Sequence, residues 1–127
     1  MKVPADLKYT VHDEWVRVEG DALVVGITDF AQDALGELVH VELPDVGKRF
    51  KAGDEMCEVE SVKAVAAVYA PVDGEIVETN MDLDGGEDAV NDDPYGAGWL
   101  VKLKASNPAG LGALMDSGAY QTKITTH

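Results

Sequence analysis

The chain holds a single cysteine, three histidines, 10 Lys/Arg and 24 Asp/Glu with which to do chemistry. His12, His40 and His127 fall at no spacing that would hold a metal ion, and Cys57 has no second cysteine for a ligand set or a disulfide. Ser61 and Ser117 lack the setting of an activated nucleophile, and no phosphate- or dinucleotide-binding glycine loop occurs. Nothing in the sequence pairs two carboxylates for acid–base work, so a solvated acidic face accounts for most of them. What stands out is Lys63, within Glu58-Val59-Glu60-Ser61-Val62-Lys63-Ala64-Val65 and followed by Tyr69-Ala70-Pro71-Val72-Asp73-Gly74. An amine at a turn between two strands is reachable by another protein. Acylation there would remove its charge and make its stem part of a long flexible arm. A rigid base with a mobile tip raises the effective concentration of a cargo near a docked partner. A lysine in a turn is also a common surface residue, and spacing alone does not separate the two readings.

The elements around Lys63 must do the positioning. Segments 56–61 and 64–69 read as paired strands, which leaves Val62 and Lys63 as a tight two-residue tip. Neither is Gly, Asn or Asp, the residues that primed hairpin turns favour, so the turn is chemically atypical. Upstream, strands over 15–19 and 22–27 flank the Gly20-Asp21 turn. Thr28 caps a short helix over 29–35, with Asp29 in its first turn and Gly36 at its left-handed stop. Alternation over 38–43 gives a further half-buried strand. Downstream, 75–80 and 99–104 are strands separated by an acidic loop over 82–88. Asn107 and Pro108 open a C-terminal helix over about 107–120, which Gly110 and Gly112 each weaken by about 1 kcal/mol relative to Ala. It therefore needs packing to persist. Many short strands with Gly and Pro turns indicate a β sandwich or barrel. Gly36-Glu37-Leu38-Val39 is echoed by Gly74-Glu75-Ile76-Val77, which suggests two similar halves, although two copies do not establish a period.

A length of 127 residues suits one domain, and a formal charge of −14 repels nucleic acid and anionic lipid. Such a surface favours partners with basic docking sites, or serves solubility alone. Cys57 reads as a small buried hydrophobe in a reducing compartment. The N-terminal residues lack the apolar run of a signal peptide, and no apolar stretch approaches the ~18 residues of a membrane span. A cytoplasmic protein that binds neither nucleic acid nor membrane is expected.

Several words, in this order, resemble the H proteins of the glycine cleavage system. They are His12-Asp13-Glu14-Trp15-Val16, Val25-Gly26-Ile27-Thr28-Asp29-Phe30-Ala31-Gln32, Leu35-Gly36-Glu37 and Val41-Glu42-Leu43-Pro44. Then come Glu60-Ser61-Val62-Lys63-Ala64 and Tyr69-Ala70-Pro71-Val72-Asp73-Gly74-Glu75. Val90-Asn91-Asp92-Asp93-Pro94-Tyr95-Gly96 and Gly98-Trp99-Leu100 complete the set. Biotin carriers usually place their lysine between two methionines, whereas Val62 and Ala64 flank Lys63. The resemblance implies one lipoyl-carrier domain over 1–127, mainly β. Its expected form is a lipoyl-domain-like sandwich of two small antiparallel sheets (a barrel-sandwich hybrid) with short peripheral helices.

The resemblance also implies lipoic acid in amide linkage to Lys63. Glu60 and Gly74 match positions offered to the lipoylating enzyme, and Glu14 matches an acidic residue near the cleft that shelters the loaded arm. The plainer alternatives are that Gly74 serves only a turn and that Glu60 and Glu14 are solvated acids. The implied task is that of a non-catalytic shuttle. A pyridoxal-phosphate glycine decarboxylase loads an aminomethyl group, a tetrahydrofolate-dependent aminomethyltransferase takes it on, and dihydrolipoamide dehydrogenase reoxidises the arm. The chain departs from the family at Ala66 and Ala67, where many members carry Ser-Asp, and at Ala34, where some carry His. It departs again at Cys57, where a glycine or another small residue is common. The departures lower the expectation that the loaded arm is held in the usual way. Two other readings stay open: an H-like protein that relays lipoyl groups to other carrier domains, and an unmodified acidic β-sandwich interaction module.

Overall fold

The apolar segments pair into two antiparallel sheets in the computed structural model, which describes residues 2–106 and 108–125. The larger sheet has six strands. In spatial order they are β1 (Lys8–Tyr9), β2 (Glu14–Glu19), β3 (Ala22–Ile27), β9 (Val101–Ala105), β8 (Gly74–Thr79) and β5 (Arg49–Phe50). The smaller sheet has three strands, β4 (Leu38–Glu42), β6 (Glu55–Ser61) and β7 (Val65–Tyr69), with β6 in the middle. The two sheets are unequal, and neither closes on itself. Between them lies the main core. Leu23, Val25, Ile76 and Leu103 from the large sheet meet Cys57, Val59 and Val68 from the small one. Each fully buried Val, Leu or Ile contributes about 1.5–3 kcal/mol relative to exposure.

The two copies of the internal repeat lie in different sheets, β4 and β8. Leu38 and Ile76 are buried in the shared core, while Val39 and Val77 are exposed. The opening glycines differ, since Gly36 has φ 84° and Gly74 has no positive φ.

Helix α1 (Asp29–Leu35) forms where the capping pattern predicts. The Thr28 hydroxyl accepts from the Ala31 N–H at 3.2 Å, and Gly36 takes the positive φ that stops the helix. The acidic loop is more ordered than alternation suggested. It contains a 3₁₀ turn over Met81–Leu83 and a short helix α2 (Asp88–Asp92), anchored by buried Leu83 and Val90. One turn of helix is too short to show a 3.6-residue period.

The C-terminus corrects the expected continuous helix over 107–120. Pro108–Ala113 is a 3₁₀ segment and α3 spans Ser117–Thr125; Asn107 lies outside the described residues. Between them, Met115 exchanges two backbone hydrogen bonds of 2.8 Å with Tyr9. A backbone committed to β1 in this way is not available to a helix, and the glycines at 110 and 112 weaken the alternative. Tyr120 is the buried residue of α3. Its ring stacks on Tyr9 at 4.6 Å, and its hydroxyl meets Thr28 Oγ1 at 2.7 Å and Asp13 Oδ1 at 3.0 Å. Tyr9, Trp15, Val24, Leu7 and Tyr120 thereby make a second, smaller core.

Candidate functional site

Lys63 stands exposed between β6 and β7, and its turn is held by a side chain rather than by left-handed residues. Among the described residues other than glycine, only Asp13 has a positive φ, so 62–64 make no primed turn. The buried Ser61 hydroxyl takes the place of that geometry. It accepts from the Lys63 N–H at 3.2 Å and the Ala64 N–H at 3.0 Å, and donates to the Ala64 carbonyl at 3.2 Å. The Ser61 N–H reaches the Ala64 carbonyl at 2.8 Å, and the Val62 N–H reaches the Glu37 carbonyl at 3.1 Å. From the sequence, Ser61 is a strand-end residue without the setting of a nucleophile. A serine opening a turn that lacks Gly, Asn and Asp was the signal for this role. The Lys63 stem crosses Gly36, where an added Cβ would lie 3.5 Å from Lys63 Cε. Among the described residues no carboxylate lies within ion-pair distance of the Lys63 amine.

Glu14 sits at the other end of β7. The strand between them covers about 13 Å at ~3.3 Å per residue. Sequence alone left Glu14 equally readable as a solvated acid, yet it is 1% exposed. The turn before it explains why the charge is tolerated there. Thr10 Oγ1 accepts from the N–H groups of His12 and Glu14, both at 3.2 Å, and donates to Glu14 Oε1. Glu14 Oε2 accepts from the Tyr69 N–H at 3.1 Å. Asp13, at φ 68°, makes the tight bend and passes its carbonyl to the Thr28 N–H. Glu14 and His12 line a cleft of about 330 Å³, whose other walls include Pro71, Leu114 and Met115.

Burial raises the Glu14 carboxyl from its ordinary 4.5, although the Thr10 and Tyr69 hydrogen bonds and nearby His12 pull it down. The folded chain therefore holds this proton at a pH where the unfolded chain has released it. Glu14's contribution to stability is full below pH 4.5 and falls as pH rises through the window above it. Glu14→Gln keeps an acceptor for Tyr69 and has no charge to bury. Urea unfolding at stepped pH should show the variant gaining on the parent as pH rises through that window. A parent–variant difference that does not change with pH would refute the buried-charge account.

Glu60 is exposed on β6, opposite Val65 and next to the Lys63 turn. Gly74 is buried and lies beyond Tyr69, at the far end of the hairpin from Lys63, so the two are not brought together. A Cβ on Gly74 would fall 2.6 Å from the Lys104 carbonyl and 2.8 Å from Leu103 Cγ. Strand packing alone therefore demands glycine there. Ala34 is exposed on α1, Ala66 packs against the main core, and Ala67 turns to the outer face opposite Glu58. Cys57 is buried, and its thiol is pushed up to about 12 by burial and, secondarily, by the Glu14 charge. Among the described residues no group of His, Cys, Asp and Glu is placed to hold a metal ion, and no helix is long and apolar enough to cross a membrane.

A family model described as glycine cleavage H-protein matches residues 7–127 of the chain. The glycine cleavage system H protein of Laribacter hongkongensis is 52% identical over 123 residues, covering 96% of this chain and 97% of the relative. That of Thermus thermophilus is 50% identical over 121 residues, covering 95% and 94%. The crystal structure of a glycine cleavage system H protein from Mycobacterium marinum superposes with a TM-score of 0.88 at 38% identity, covering 96% of this chain and 98% of that one.

Proposed function

Because this chain belongs to the glycine cleavage H-protein family, we propose that Lys63 bears lipoic acid in amide linkage and that the chain serves as the lipoyl-carrying shuttle among the enzymes of that system. The observation that carries the reading is the Lys63 turn: an exposed amine with no ion pair among the described residues, on a backbone fixed by Ser61 and Glu37. Amide formation there breaks no salt bridge and buries no charge, so the residues present fit the group. Lys63 would hold the group through its amide, and the bound lipoyl disulfide would supply a reducible sulfur pair able to carry an aminomethyl group between the pyridoxal-phosphate glycine decarboxylase and the aminomethyltransferase, with dihydrolipoamide dehydrogenase as the oxidant of the resulting dithiol.

The chain's own residues display, hold and shelter. Ser61 fixes the base of the arm. Glu60 is exposed beside the turn, which supports its recognition by the lipoylating enzyme. Gly74 acts at a distance, by permitting the close approach of β8 to β9. Glu14 backs a cleft at the far end of β7, and Ala34, Ala66 and Ala67, which lie elsewhere, supply no side-chain acceptor for the arm. No residue of the chain is assigned a turnover step.

Reconstitution tests this reading. The chain, lipoylated in vitro and checked by intact mass, should support glycine-dependent NADH formation with the other three enzymes, and the unmodified chain should not. Transfer of its lipoyl group to other carrier domains without glycine turnover would overturn the shuttle role in favour of a relay.

A further inference from the structure

The outer strand edges of the two sheets are not alike. β1 is closed by its bridge to Met115. β5 is two residues long and shows Arg49 to solvent. β4 carries His40 and Glu42, slips register between Leu38 and His40, and has its first N–H taken by Asn91 Oδ1 at 3.0 Å. Shortness, charge and bulges are the devices that keep sheet edges from recruiting other strands. β7, Val65-Ala66-Ala67-Val68-Tyr69, has five residues with no charge and no proline.

Its register shows which groups are free. The bond from the Ser61 N–H to the Ala64 carbonyl fixes the ladder, so Ala64, Ala66 and Val68 turn their backbone groups to β6 while Val65, Ala67 and Tyr69 turn theirs outward. At Tyr69 the outward N–H is taken by Glu14. Among the described residues the N–H and C=O groups of Val65 and Ala67 have no partner. This open stretch begins two residues after Lys63.

The face beside the edge has one sign. Glu60 lies opposite Val65, Glu58 opposite Ala67, and Glu42 opposite Glu58. On the larger sheet the solvent-facing acids have basic neighbours: Glu75 meets Arg49 at 3.3 Å, and Lys102 meets Glu19 at 3.2 Å and Glu78 at 3.7 Å. β4, β6 and β7 contain no Lys or Arg, and among the described residues no ion pair reaches Glu42, Glu58 or Glu60.

We propose that the enzyme that acylates Lys63 docks by adding an extended segment bearing Lys or Arg to the free edge of β7, hydrogen-bonded to the N–H and C=O groups of Val65 and Ala67, with its cations against Glu58 and Glu60. The inference rests on the reading of Lys63 as the acylated residue. Strand addition supplies main-chain hydrogen bonds that orient the partner, and side chains then select it. A strand laid here fixes the Lys63 amine relative to the partner's backbone, and the unpaired glutamates give the partner its sign.

The test uses the full chain with a purified lipoate–protein ligase, lipoate and ATP. Ala67→Pro removes an outward N–H and leaves the ladder to β6 intact. It should lower kcat/KM for lipoyl transfer by about tenfold, the equivalent of one net hydrogen bond, at an unchanged melting temperature. Glu58→Gln with Glu60→Gln should raise KM at low salt, with the difference fading at high salt. Should Ala67→Pro fail to fold, amide exchange on the parent decides: Val65 and Ala67 exchange rapidly in the free chain and become protected when the ligase binds. A folded Ala67→Pro chain modified at the parent's rate, or Val65 and Ala67 amides equally open in the complex, would overturn edge docking. A parent chain that the ligase never modifies at Lys63 would instead sink the functional reading itself.

Discussion

Lys63→Ala abolishes lipoylation and leaves the melting temperature within about 2 °C of the parent. The side chain is exposed, makes no ion pair among the described residues, and contributes nothing to either core. What holds the turn is the Ser61 hydroxyl and the Lys63 backbone N–H, and alanine keeps that N–H. Surface substitutions of this kind stay within about 0.5 kcal/mol. Lys63→Arg sharpens the test, since it keeps the positive charge while a guanidinium is not joined to lipoate. Both variants should stay unmodified by intact mass after incubation with ligase, lipoate and ATP. Lipoyl mass retained by Lys63→Ala would move the site to another lysine. A large fall in melting temperature would show that the stem's passage over Gly36 is structural.

Tyr120→Ala has the largest expected effect on stability, about 3–5 kcal/mol, in line with truncating a buried aromatic. The ring is fully buried and stacked on Tyr9, and its hydroxyl joins Thr28 to Asp13. Removing it leaves a void, and it takes a partner from the Thr28 hydroxyl that caps α1. Native stabilities of roughly 5–15 kcal/mol make such a loss a large share of the whole. The nine residues of α3 are too few to hold a helix alone, so α3 should detach before the sheets melt. Fast amide exchange over 117–125 under native conditions, with β6 and β7 still protected, is the expected pattern. Tyr120→Phe separates the terms: it keeps the ring and should cost about 1–3 kcal/mol for the polar groups left unpaired. An alanine variant as stable as the parent would show that the second core does not depend on α3.

The effect reaches the candidate site. Asp13 accepts from the Tyr120 hydroxyl and from Lys123 Nζ at 3.3 Å, and it makes the bend that sets Glu14. Loosening α3 should therefore loosen the Glu14 end of β7 while leaving the Lys63 turn unchanged.

Much of this was legible in the sequence because it rested on local rules. The opening hairpin, α1 with its Thr28 cap and Gly36 stop, and the strands flanking Lys63 all follow from alternation and capping chemistry. The features that escaped depend on distant partners. Glu14 reads as a surface acid until Thr10 and Tyr69 enclose it. Gly74 reads as a turn glycine until the Lys104 carbonyl arrives from the neighbouring strand. The break between 113 and 117 is set by Tyr9, more than a hundred residues earlier, and no local window contains both partners. Ser61 was readable from its neighbours, given the question of what holds a turn without Gly, Asn or Asp.

Buried Cys57 gains a second meaning from what Lys63 is proposed to carry. A tethered disulfide is open to attack by any thiolate within its swing, and an internal thiolate would be the nearest one. The product would be a closed loop between arm and body, unable to visit a partner. With its thiol pushed up to about 12 by burial, Cys57 stays protonated near neutral pH, and it is walled off by the core as well. The one thiol of the body is thus insulated from the circuit that its own surface displays, and electrons placed on the arm leave through a docked enzyme.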